Sequence, residues 1–140
     1  IRINPLYTMG TQKMIKPLYI VAAIYDAVLG IAFLFAADAV FEQFMPEIEM
    51  PYHPGYIQFP AALLLVFALM YFAIARNPVR NRNLILYGIL LKVSYCSIVL
   101  YHWATLTASI WKPFCIADII FLVLFVYTWR ATGKSVGAQN

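Results

Sequence analysis

Apolar residues run through this chain in four long stretches separated by short polar breaks. The stretches are Leu18–Ala37, Ile57–Ala75, Leu84–Ala104 and Pro113–Trp129. None alternates with the period of two that marks a half-buried strand. Each is close to the roughly 20 apolar residues that a helix needs to cross a hydrocarbon layer about 30 Å thick. The pattern therefore predicts an all-α chain, an integral membrane four-helix bundle, with residues 1–140 as a single transmembrane domain. Punctuation marks the ends. Pro17 and Pro113 are expected in first turns, where proline removes an amide that would lack a partner anyway. Pro60 falls in the opening turn of the second stretch, Asn77-Pro78 breaks the chain after it, and Asn83 is expected to cap the third.

The connection between the first two stretches has its own period. Phe41, Phe44, Met45 and Ile48 recur at i, i+3, i+4 and i+7, with Glu42, Gln43, Glu47 and Glu49 on the remaining positions. This is a short amphipathic segment, limited by Pro46, Pro51 and Pro54. Three uses are open to it: lying flat on the outer leaflet, covering a partner, or packing on the bundle's own end as an interfacial turn.

Charge then orients the chain. Lys13 and Lys16 precede the first stretch, Arg76, Arg80 and Arg82 lie in or beside the second connection, and Arg130 and Lys134 follow the fourth stretch. Asp38, Glu42, Glu47 and Glu49 fill the first connection, and among the basic residues of the connections Lys112 alone lies on that side. Positive residues stay on the cytoplasmic side, so both termini are expected there, in a bacterial inner membrane. Trp103 and Trp111 are expected to anchor one interface, Trp129 and Tyr127 the other.

Composition narrows the class further. The chain is 64% hydrophobic and only 11% charged, against about 45–50% and about 25% for soluble domains. A mean hydropathy of +0.78 calls for lipid around it. The net charge of +4 is not gathered into a basic patch with interleaved aromatics, so nucleic acid is not an expected partner. There is no Gly-rich phosphate loop, HExxH or GxSxG, so no catalytic residue is assigned. His53, His102, Glu47 and Glu49 show no diagnostic spacing, and no metal is expected.

The most informative residues are charges within the apolar stretches: Asp26, Lys92 and Asp118. At 1.5 Å per residue, Asp26 and Lys92 come about 13–14 Å from the basic end of their helices and Asp118 about 18 Å. Three charges on three helices thus fall within about one turn of depth. Charge facing lipid is expensive and usually turns inward to find partners. Lys92 is expected to bridge Asp26 or Asp118, the other acid being protonated or hydrogen-bonded, with Ser94, Ser97, Tyr95 and Cys96 near enough to join. The cluster has a structural reading, an ion pair that fixes helix register, and a functional one, a proton relay or ligand site. Ala23, Ala27 and Gly30, with Gly88 one turn before Lys92, suggest that the first and third spans approach closely. Cys96 and Cys115 lie at similar depth, as either two inert core thiols or a redox pair with Tyr95.

Two segments resemble a known group. Asp26-Ala-Val-Leu-Gly-Ile-Ala-Phe-Leu-Phe35 is similar to the Gly-containing, Phe-rich first span of the DoxX-like group of small four-span bacterial membrane proteins. Gly88-Ile-Leu-Leu-Lys92 is similar to its later Gly-x-x-x-Lys. Where that group often has an early arginine, this chain has Asp26. The resemblance implies a four-helix bundle. Some relatives are associated with thiosulfate or quinone oxidation.

Three functions follow as expectations. The first is a non-catalytic accessory subunit on a larger respiratory or photosynthetic membrane complex. It would make contact through Phe41, Phe44, Met45 and Ile48 and through the segment holding Leu6, Tyr7, Met9 and Met14. The second is a quinone- or thiol-redox-linked subunit using Cys96, Cys115, Tyr95 and Lys92. The third is a small proton-coupled carrier centred on Asp26, Lys92 and Asp118. No resident cofactor is expected, though quinone or lipid are admissible ligands. The expected partners are the bilayer and either other subunits or further copies of the chain.

Overall fold

The computed structural model describes residues 5–106 and 110–136, with side chains described for residues 13–106 and 110–133. Five helices and no strands occur among the described residues: α1 (Pro5–Phe35), α2 (Ala37–Phe44), α3 (Gly55–Arg76), α4 (Arg82–Tyr101) and α5 (Trp111–Val136). Four of them, α1, α3, α4 and α5, are long and apolar enough to cross a membrane. Their outward faces carry large apolar side chains, such as Val28, Phe59, Leu69, Ile98 and Val123, while Asp26, Lys92 and Asp118 are buried. Charge inside and hydrocarbon outside is the arrangement a lipid solvent selects.

The helix ends depart from the punctuation in instructive ways. Pro17 is not in a first turn; α1 begins twelve residues earlier, at Pro5. Its 31 residues make a rod of about 46 Å, well beyond a bilayer core of about 30 Å. Proline inside the helix removes the bond to the carbonyl of Lys13, and because Lys13 and Pro17 are both exposed, that carbonyl is not stranded in a dry core. Asn83 does not cap α4. Asn81, two residues earlier, occupies that position and spends its side chain elsewhere, its Nδ2 donating to Ala73 O at 2.7 Å. Pro113 does fall in the first turn of its helix, as the third residue of α5.

α1 packs along α3 and α4 along α5, with looser contact between α3 and α4 and between α1 and α5. Gly30 explains the closeness of the first pair: a Cβ there would lie 2.9 Å from Ala61 O and 2.8 Å from Leu65 Cδ2. The small face of α1 therefore serves α3, not α4, and the expected close approach of the first and third spans is not found. Gly88 likewise makes room for a ring, a Cβ there lying 2.8 Å from Tyr71 Cε1.

The part of α1 around Tyr19, the α3–α4 connection and the Thr128–Trp129 part of α5 lie together at what we call the basic end, joined by specific contacts. Tyr19 bonds Thr128 at 2.9 Å. Arg82 Nε donates to Trp129 O at 3.2 Å, with its guanidinium carbon 4.2 Å from the Trp129 ring centroid. Tyr19, Tyr71, Phe125, Ile74 and Ile85 fill the core above them. At the opposite, acidic end, α2 closes the structure. Phe41 and Met45 are buried against Phe33 and Ala61, and Trp111 stacks on Phe33 with centroids 5.7 Å apart. Trp111 is half-buried there, one face packed on Phe33.

Candidate functional site

Lys92 is where the interior chemistry converges. Its Nζ donates to Asp26 Oδ1 at 3.0 Å and lies 2.9 Å from Asp118 Oδ1. The second contact is an ion pair without the alignment of a hydrogen bond. The three residues come from α4, α1 and α5, and all three are buried. Since α1 and α4 are not a closely packed pair, the long lysine stem spans the gap between them, and a shorter base would not reach.

Three aromatic rings surround the ammonium: Tyr25 at 5.2 Å, Phe121 at 5.6 Å and Tyr71 at 5.8 Å from Nζ to centroid. Such distances are within range for attraction to the ring faces, which strengthens when water is excluded. Tyr25 and Tyr71 were not among the sequence candidates. Tyr25 follows the rule that neighbours in a helix point about 100° apart, yet its large ring still swings back over the site. The one available signal was that Tyr25 adjoins Asp26 in the chain; nothing local points to Tyr71, because α3 carries no buried charge.

The polar groups here are not all satisfied by one another. Among the described residues, Asp26 Oδ2, Asp118 Oδ1, Tyr25 OH and Tyr71 OH are buried without a hydrogen-bond partner, Asp118 Oδ1 having the Lys92 ion pair alone. Asp26 and Tyr71 are both fully buried, at 0% exposure, and a carboxylate oxygen costs more to leave without a donor than a neutral hydroxyl.

The triad forms the floor of a cavity of about 410 Å³ that extends from Asp26, Lys92 and Asp118 toward α2. Apart from the triad, Tyr25, Tyr56 and Tyr95, its walls are hydrocarbon and aromatic, including Leu29, Phe33, Leu64, Phe67 and Phe114. Its volume is in the range typical of small-molecule sites, and an apolar cavity with a few convergent polar groups is the usual form of one. Tyr56 and Leu63, at 76% and 42% exposure, belong to both the lining and the outer surface, so the cavity reaches the exterior on the α3 side. The loose packing of α3 on α4 permits this opening.

The remaining candidates lie apart from this centre. Tyr95 borders the cavity, but its hydroxyl donates to Trp111 O at 3.1 Å. Cys96 and Cys115 are buried free thiols outside the cavity lining, with Cys96 Sγ 3.8 Å from Cys115 O. Ser94 and Ser97 are exposed, and Ser97 Oγ donates to Ser94 O at 3.0 Å, so neither joins the triad. Of the four residues offered as a partner contact, Phe41 and Met45 are buried, Ile48 is half-buried and Phe44 is exposed. The side chains of Leu6, Tyr7, Met9 and Lys134 lie outside the described residues, whereas Met14 is exposed. His53 Nδ1 accepts from Gly55 N at 3.1 Å, and His102 packs edge-on against Tyr101. No group of three His, Cys, Asp or Glu residues suited to a metal occurs among the described residues.

No known protein family, curated protein or solved structure matches the chain.

Proposed function

We propose that this chain is a polytopic membrane protein, a four-helix bundle that binds a small, mostly apolar molecule within the bilayer. The body of the ligand lies along the walls formed by Phe33, Leu64 and Phe67, and its polar end is held at the Asp26–Lys92–Asp118 floor. The observation that carries this reading is the position of a fully buried, incompletely satisfied ion cluster at the closed end of a 410 Å³ apolar cavity. A triad serving register alone would be served as well by a filled interior, since an unfilled cavity forfeits contact energy. Lys92, the last residue of the segment that resembles the Gly-x-x-x-Lys of the DoxX-like group, belongs to this floor, and Asp26, where that group often has an arginine, faces it.

The basic end faces the cytoplasm of a bacterial inner membrane, on the rule that Lys and Arg stay on that side. The cavity then opens at the level of the outer leaflet.

Native mass spectrometry of the protein released from lipid nanodiscs tests the binding reading. The wild type is expected to retain one small-molecule adduct per chain. Leu64→Trp, which fills the cavity from its wall, is expected to lose it. Identical spectra for the two proteins would overturn the proposal.

A further inference from the structure

We infer, resting on that binding reading, that the ligand is a monocationic amphiphile: a single protonated amine on a hydrocarbon or aromatic body. The first ground is charge. The floor holds one ammonium and two carboxylates, with no other charged side chain in the cavity lining. With all three ionised, the sum is −1. In a low-dielectric interior an unbalanced charge is far more costly than in water, so the floor is balanced either by a proton on one carboxylate or by a bound cation that takes the proton's place. One added cation gives two positive and two negative groups. An anionic head would leave three negative groups around a single ammonium.

The second ground is the free acceptor. Lys92 takes Asp26 Oδ1, while Asp26 Oδ2 is buried, has no hydrogen-bond partner, and belongs to a residue that lines the cavity. An ammonium donates three N–H groups and accepts none, so it matches this oxygen. Placed there, it alternates with Lys92 around the carboxylates, as cations and anions do in any stable cluster.

The third ground is the surroundings. Lys92 shows that this part of the interior already accommodates an ammonium among aromatic faces, with Tyr25 at 5.2 Å shared between the lysine and the cavity wall. A second ammonium meets the same ring. The walls beyond it carry neither charge nor amide side chain and suit an alkyl or aryl body, with polar groups only at Tyr56, Tyr95 and Trp111.

Three probes with the same tail and different heads separate the possibilities: decylamine, decanol and decanoate. Their binding to the wild-type protein in nanodiscs is measured by native mass spectrometry and corrected for lipid partition with Leu64→Trp. Decylamine is expected to bind at least about tenfold more tightly than decanol, and decanoate more weakly than either. Asp118→Asn, which neutralises one carboxylate without changing its shape, is expected to bring decylamine down to the level of decanol. Decanol or decanoate binding as tightly as the amine, and blocked by Leu64→Trp, would overturn the charge assignment and leave the binding reading intact. Loss of all Leu64→Trp-sensitive binding would overturn both. The comparison of heads uses the wild type, so it holds even if Asp118→Asn fails to fold.

Discussion

Tyr19 and Thr128, 109 residues apart, meet through a hydrogen bond of 2.9 Å that ties the first turns of the α1 span to the last turns of the α5 span. The direction of the bond follows from proton counting. Thr128 Oγ1 donates its single proton to Phe125 O at 2.9 Å, so Tyr19 is the donor and Thr128 the acceptor. The Tyr19 ring also stacks on Phe125 with centroids 4.7 Å apart, so one side chain joins both helices by a polar and an apolar contact. Tyr19→Phe keeps the ring and removes only the donor. Thr128 retains its bond to Phe125 O, so no buried donor is stranded. Hydrogen bonds between membrane helices average about 0.6 kcal/mol and reach about 1.7. Tyr19→Phe is therefore expected to lower stability by about 0.5–1.5 kcal/mol without changing the fold. Thermal unfolding in detergent, read through exposure of the buried Cys96 and Cys115 thiols to a fluorogenic maleimide, measures it.

The triad makes a sharper prediction, because its parts are not additive. Lys92→Met keeps the length and apolar stem of the side chain but leaves Asp26 and Asp118 facing each other in the interior. Removing one member of a buried ion cluster typically costs about 3–5 kcal/mol, since the remaining charge is uncompensated. Replacing a whole cluster by uncharged groups of similar size is often neutral or stabilising. Lys92→Met alone is thus expected to be strongly destabilised, and the triple variant Lys92→Met/Asp26→Asn/Asp118→Asn to recover much of that loss. The same thiol-exposure measurement ranks the two. Equal destabilisation in both variants would mean that the side chains act by shape and not by charge.

The extent to which the chain could be read in advance differs between levels for physical reasons. The four long apolar helices were legible because the thickness of a hydrocarbon layer sets the length that can cross it and lipid sets the composition, and neither depends on what packs against what. The triad was legible because charge is rare in spans and the rise per residue fixes its depth. Neighbour relations were harder. The Ala23, Ala27 and Gly30 stripe correctly marked a close approach, but nothing local specifies the opposing helix, and Gly30 meets Ala61 of α3. Gly88 was read as opening space for a backbone, whereas it admits the ring of Tyr71. In the connection, periodicity identified the apolar face of Phe41 and Met45 but not its destination, because burial on the protein's own end and burial by a partner demand the same residues. The cavity was invisible altogether. It is lined by residues of all five helices, a consequence of relative helix placement that no single segment encodes.

Sidedness rests on a charge asymmetry between the two ends and is open to direct measurement. Arg76 and Arg80 cluster at the α3–α4 connection, with Arg130 at the same end on α5, while Glu42, Glu47 and Glu49 occupy the α2 end. Each positive residue held on the cytoplasmic side biases insertion, whereas acidic residues contribute little, so the basic end determines the outcome. Single cysteines at Arg80 and Glu47, both exposed positions, report the two ends. They are introduced with Cys96 and Cys115 replaced by Ala. A membrane-impermeant maleimide applied to intact bacterial cells is expected to label the cysteine at position 47 and spare the one at position 80 until the membrane is permeabilised. The opposite result would turn the molecule over and place the mouth of the cavity at the cytoplasmic leaflet. Adding positive charge tests the cause: Glu42→Lys/Glu47→Lys/Glu49→Lys reduces the asymmetry and is expected to give a mixed population in the same assay, read at position 80.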